Sequence, residues 1–76
     1  MDEESQRNMD AYYSERDRYQ DGLWVLYFDG KLLRCGNDYE NILSYIPNRG
    51  GCNLARKGYE NVVNSLGSGL HRFDDA

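Results

Sequence analysis

Leu23-Trp-Val-Leu-Tyr-Phe28, Asp29-Gly30, Lys31-Leu-Leu-Arg-Cys35 is the stretch on which the fold turns. Two runs of strand-forming residues flank an Asp-Gly pair, which supplies the positive backbone angles of a type I′ turn and so predicts a β-hairpin over residues 22–35. A two-residue loop fixes the register. It sets Leu26 opposite Leu33, Trp24 opposite Cys35, Val25 opposite Arg34 and Tyr27 opposite Leu32. One face of the ribbon then carries Trp24, Leu26, Phe28, Leu33 and Cys35 and is the expected core face, where Cys35 serves as a small hydrophobe. The other carries Leu23, Val25, Tyr27, Leu32 and Arg34, which is too apolar to face water uncovered. Two covers suit it: a second copy of the chain, giving a homodimer through the hairpin, or the N-terminal segment folded as a helix.

C-terminal to the hairpin, Asn37-Asp38-Tyr39-Glu40 places a capping residue three positions before a glutamate, the start signal of a helix. Tyr39, Ile42, Leu43 and Ile46 form one apolar stripe and Pro47 ends it, so a helix is predicted over 38–46. Past a loop at Pro47–Gly51, Asn53 reads as a second cap for a helix over 53–66, with Ala55, Tyr59, Val62, Val63 and Leu66 on one face, Gly58 inside it and Gly67 as its stop. Tyr39-Glu-Asn-Ile-Leu43 recurs as Tyr59-Glu-Asn-Val-Val63, which reads as two similar helix faces and not as a solenoid, because two units cannot bury a repeat core. The fold class expected is α+β: one small domain, a β-hairpin packed against two or three short helices.

Charge divides the chain into three parts. Residues 1–21 hold seven acids against Arg7, Arg16 and Arg18 and carry all of the negative excess. Met9, Tyr12, Tyr13, Arg16 and Tyr19 sit at near-helical spacing, so helix and disorder both suit this acidic segment. Residues 22–73 form a mildly basic domain, and 74–76 are an acidic tail. At 76 residues and 39% apolar composition, only about 60% of the unfolded chain's surface is buried on folding, and no apolar run reaches the ~20 residues that span a bilayer. A membrane-spanning protein is excluded. The start, Met1-Asp2-Glu3-Glu4, is acidic where a signal peptide would be basic, which points to the cytoplasm.

Chemistry-bearing motifs are sparse. Cys35 and Cys52 with a single histidine supply neither a disulfide framework nor a structural zinc set, and no cofactor is expected. Arg49-Gly50-Gly51-Cys52-Asn53 ahead of the expected helix, with Arg56 and Lys57 beside it, has the charge of an anion site but lacks the Lys-Ser/Thr ending of a P-loop. A Cys52–His71 nucleophile and base pair has no third orienting group, so no enzymatic activity is expected. Seven tyrosines, one tryptophan and seven arginines against two lysines are the residue types concentrated at binding hot spots. Tyr27, Leu32, Arg34, Arg49, Arg56 and Lys57 are therefore the candidate partner-binding residues. The class they favour is a protein-binding module acting on a larger intracellular protein, with the acidic leader as a phosphate mimic toward a basic groove. Single-stranded nucleic acid, held by stacking on Tyr27 and by the cations, is the second class, opposed by the net charge of −4.

The hairpin-then-helix stretch from Leu23 to Ile46, with the string LYFDGKLLRCGNDYENILSYI, resembles the small α+β proteins of bacteriophages and mobile elements, including host-takeover and anti-CRISPR or other anti-defence inhibitors. That resemblance implies stoichiometric inhibition of a host nucleic-acid-handling or defence protein in the host cytoplasm, and it assigns no individual residue a role.

Overall fold

A computed structural model describes residues 3–48 and 50–59 together with the backbone of 71–73. The chain runs α1 (Glu3–Glu15), a single 3-10 turn (Arg16–Arg18), β1 (Trp24–Phe28), β2 (Lys31–Gly36), α2 (Tyr39–Leu43), β3 (Cys52–Arg56) and β4 (His71–Phe73). All pairings are antiparallel and the sheet order is β2-β1-β3-β4, so β1 is central and β2 is an edge strand among the described residues. The fold is α+β.

The expected turn is present, with Asp29 at φ 55° and Gly30 at φ 74°, the two positive values a type I′ loop demands. Phe28 pairs with Lys31 and Tyr27 with Leu32 as the loop dictates, but a β-bulge then shifts the register. Leu26 pairs with Arg34, Val25 with Cys35 and Trp24 with Gly36, each one residue beyond the expected partner. One extra residue in β2 reverses the face of everything after it. Cys35 is accordingly exposed, not packed in the core.

Trp24, Leu26 and Phe28 do face a core, completed by Ile42, Leu43 and Ile46 around α2 and by Cys52 and Leu54 of β3. Asp38 caps α2, accepting a hydrogen bond from the Asn41 N–H at 3.3 Å, so the cap sits one residue beyond the Asn37 of the capping-box pattern. The helix closes early: Tyr45 and Ile46 donate to the carbonyls three residues back, Ile42 and Leu43, before Pro47. This tighter winding takes the place of the regular helix expected through residue 46.

On the opposite face Val25, Tyr27 and Ala55 pack against Tyr12, with Met9, Ala11, Tyr19 and Leu23 around them. Their cover is α1, which settles the N-terminal segment as helix and removes the ground for a homodimer through that face. Its buried stripe, however, is Ser5, Asn8 and Tyr12, while Tyr13 is exposed. Asn8 tolerates burial because its amide is satisfied: Nδ2 donates to Gly51 O at 3.1 Å and to Asn53 Oδ1 at 2.7 Å, and Oδ1 accepts from Gly30 N–H at 2.7 Å. One side chain thus joins α1 to the hairpin turn and to β3.

Residues 52–56 correct the expected helix over 53–66. They form β3, pairing along the whole of β1 from Trp24–Arg56 to Phe28–Cys52. Ala55, Arg56 and Lys57 favour helix locally, yet β1 is buried on both faces and its backbone needs a partner on each side, a requirement that outweighs propensity. The strand places Cys52 and Leu54 in one core and Ala55 in the other. Gly58, expected inside the helix, instead holds φ 85° in a turn, where an added Cβ would lie 3.0 Å from Asp21 Cγ. Residues 60–66, with most of the repeated tyrosine string, and Gly67 lie outside the described residues.

Asp21 and Lys57 clasp this turn, with Nζ 2.8 Å from Oδ1, beside backbone bonds from Gly22 N–H to Lys57 O and from Lys57 N–H to Leu23 O. The hydrogen bond from Lys57 and then its charge hold the Asp21 carboxyl below its ordinary value of 3.8. A carboxyl lowered on folding stabilises the fold above that ordinary value and loses the contribution as pH falls through the lower, folded one. Unfolding of the wild type and Asp21→Asn followed in urea should therefore differ by a constant amount at neutral pH, and the difference should shrink only below about pH 4. A gap that closed already between neutral pH and pH 5 would show that the clasp is not what lowers the carboxyl.

Candidate interaction surface

The bulge in β2 sorts the side chains of this strand, an edge of the sheet among the described residues. Directly opposed residues share a face, so Lys31 and Arg34, opposite Phe28 and Leu26, lie on the α2 side. Leu32 and Cys35, opposite Tyr27 and Val25, lie on the α1 side. Every residue from Lys31 to Cys35 is exposed, and Leu32 and Leu33 each keep 39% of their surface in water. The paired residues of the edge therefore put Lys31 and Arg34 on one side and Leu32 and Cys35 on the other, with exposed Leu33, the extra residue of the bulge, opposite no residue of β1.

Arg34 is held in place. Its Nη2 donates to the Tyr45 hydroxyl at 2.9 Å and its Cζ lies 4.2 Å from the centre of the Tyr45 ring. The early closure of α2 is what brings Tyr45 over β2. Stacking on the ring leaves the edge of the guanidinium, with its remaining donors, facing outward.

A second cation–aromatic group lies on the same face at the Trp24 end of β1. The Arg56 guanidinium sits 5.2 Å from the Trp24 ring and 4.1 Å from the Tyr59 ring, and its Nε donates to Gly22 O at 3.2 Å. Tyr39, from the first turn of α2, tilts against Trp24 with ring centres 4.7 Å apart. Tyr39 and Tyr59 are both 40% exposed, so the group Tyr39, Trp24, Arg56 and Tyr59 presents two open ring surfaces with a fixed cation between them.

The six sequence candidates divide accordingly. Leu32 and Arg34 stand together on the β2 edge, and Arg56 belongs to the second group. Lys57 is spent in the clasp with Asp21, its side chain only 14% exposed. Arg49 lies outside the described residues. Tyr27 is fully buried, a correction that follows from α1: its hydroxyl donates to Glu15 Oε1 at 2.6 Å and accepts from the Tyr19 hydroxyl 2.5 Å away. Burial first, and these two hydrogen bonds after it, push the phenol far above its ordinary range, so Tyr27 stays neutral at any physiological pH.

The anion site expected near Arg49–Asn53 loses its basis, since β3 and no helix begins there. Cys52 is buried among Leu26, Ile42 and Leu54, and of His71 only the backbone is described. Among the described residues no group of three or more His, Cys, Asp and Glu side chains is placed to hold a metal ion, and no helix is long and apolar enough to cross a membrane. Sequence reasoning missed Tyr39, Tyr45, Trp24 and Tyr59 as surface residues because each sat on an apolar stripe or in a predicted helix. Tyr45, Trp24 and Tyr59 each lie against an arginine and Tyr39 lies against Trp24, and the Trp24–Arg56 contact is one that only the β1–β3 register reveals. Searches against protein-family models, curated proteins and solved structures match nothing.

Proposed function

We propose that this chain is a non-enzymatic protein-binding module that docks a larger intracellular protein through the β2 edge and the Arg34–Tyr45 pair beside it. The observation that carries the reading is that edge: a six-residue outer strand, exposed from Lys31 to Cys35, with an arginine fixed next to it. An outer strand leaves a row of backbone donors and acceptors open to another chain, and proteins ordinarily protect such a row. The resemblance of residues 23–46 to phage and mobile-element proteins supports a narrower version, an inhibitor that occupies a host nucleic-acid-handling or defence protein. In that version the exposed acids of α1, Glu3, Glu4 and Asp10, act from a docked helix and not from a loose tail.

Capture from a host lysate on immobilised protein, compared with the Leu32→Asp/Leu33→Asp variant, tests the reading. Both side chains are exposed, so the fold should persist by far-UV circular dichroism while the captured protein is lost. A partner retained by a folded variant would move the docking surface elsewhere.

A second reading rests on the other cluster. Tyr39, Trp24, Arg56 and Tyr59 have the form of a stacking platform for single-stranded nucleic acid, with Arg56 available to a phosphate. If that platform is used, Tyr39→Ala weakens oligonucleotide binding by about 1 to 3 kcal/mol, and log affinity falls with log salt by roughly 0.7 per phosphate contacted. Absence of any binding at low salt disposes of it.

A further inference from the structure

Resting on the docking reading above, we propose that the occupant of the β2 edge is an extended segment of the partner in which acidic and apolar residues alternate, added as a fifth strand. In the two-residue hairpin Phe28 and Lys31 close the loop as a hydrogen-bonded pair, and the next pair, Tyr27 and Leu32, is a non-hydrogen-bonded one. The N–H and C=O of Leu32 consequently point away from β1 toward an incoming strand. Any extended backbone can use these groups, so they supply affinity and not choice.

Choice comes from the side chains. A strand laid along β2 alternates its own side chains between the two faces of the sheet. On the α2 face its neighbours are Lys31 and Arg34, and on the α1 face they are Leu32 and Cys35. Without the bulge, Lys31 and Cys35 would share one face while Leu32 and Arg34 shared the other, and the edge would present mixed chemistry on both. Among the paired residues of β2 the bulge separates charge from apolar surface, and the complement is a strand with carboxylates on one face and aliphatic groups on the other. The nearest loop acid, Asp29, is engaged by Arg7 with its Oδ1 3.6 Å from Nη2. A second copy of β2 is a poor occupant, since it would bring its own Lys31 and Arg34 against these cations.

The test uses the full chain and end-blocked peptides of about eight residues, a usual strand length, alternating valine with aspartate, asparagine or lysine. Amide resonances of ¹⁵N-labelled protein report the location of binding. The aspartate peptide should shift the Leu32 and Cys35 amides and bind about fivefold or more tightly than the asparagine peptide, the scale of two exposed charge pairs. That advantage should shrink in high salt. The Lys31→Glu/Arg34→Glu variant, checked for folding by circular dichroism, should prefer the lysine peptide. Equal binding of the aspartate and asparagine peptides with the same amides shifting would overturn the acidic class while leaving the edge as a docking strand. No shift over residues 31–36 with any peptide would overturn both. Concentration-dependent shifts of these amides without peptide would assign the edge to a second copy and overturn the proposal.

Discussion

Deleting residues 1–18 is expected to abolish the cooperative unfolding transition of this domain. The acidic segment has the composition of a solubilising tail, but α1 is one of the three layers of the fold. Its removal exposes Val25, Tyr27 and Ala55, which are at most 1% exposed in the intact protein, and takes Tyr12 out of their core. At about 1.5 to 3 kcal/mol for each large side chain returned to water, losing the burial of Val25, Tyr27 and Tyr12 costs roughly 5 to 9 kcal/mol. A domain of this size has a total stability of about 5 kcal/mol. The truncated chain should show no sigmoidal urea transition in tryptophan fluorescence. A cooperative transition with an unchanged midpoint would mean that α1 is dispensable. One practical result follows for the role of the leader's charge: it has to be tested by substitution at exposed positions such as Glu3 and Asp10, because truncation confounds charge with folding.

Replacing Asn8 by leucine should be nearly as damaging, although it puts a hydrophobe of similar size into a buried site. The amide is 0% exposed and meets three polar groups from two separate segments. Leucine leaves the Gly51 carbonyl and the Asn53 side chain buried without it, at about 1 to 3 kcal/mol each, so a loss of roughly 2 to 6 kcal/mol is expected from denaturation midpoints. The Asn8→Leu/Asn53→Leu double variant provides the check. Removing both ends of the bond at once spares the orphaned Asn53 acceptor, so the double change should cost clearly less than the sum of the singles. Strict additivity would show that the 2.7 Å contact between the two amides contributes nothing.

The same residue marks where the sequence stops being legible. A hydrophobicity pattern locates α2 and both faces of β1, because Trp24, Leu26, Ile42 and their neighbours announce themselves by side-chain type. It cannot find the buried stripe of α1, where serine and asparagine occupy inner positions and the asparagine does so on the strength of partners more than forty residues away. The error at β3 is of the same kind: Cys52-Asn-Leu-Ala-Arg56 carries no alternation, since both of its faces are covered, and only the unpaired side of β1 requires it to be extended. The bulge lies beyond sequence logic for a third reason. The Asp-Gly loop fixes the register at its own end and carries no information about an extra residue further along. Of the candidate surface, Leu32 and Arg34 were legible as an uncommonly placed apolar and basic pair, whereas the aromatic partners that hold the arginines were not.

The bond between Asn8 and Asn53 also bears on how the chain acquires its fold during synthesis. Residue 8 leaves the ribosome first, and its partner follows 45 residues later. At roughly 5 to 20 residues per second the wait is about 2 to 9 seconds. A 13-residue helix is only marginally stable in water by itself, and this one has little apolar surface with which to nucleate a collapse. Residues 3–15 therefore emerge as open, acidic chain and complete their contacts with the sheet only after β3 has been made.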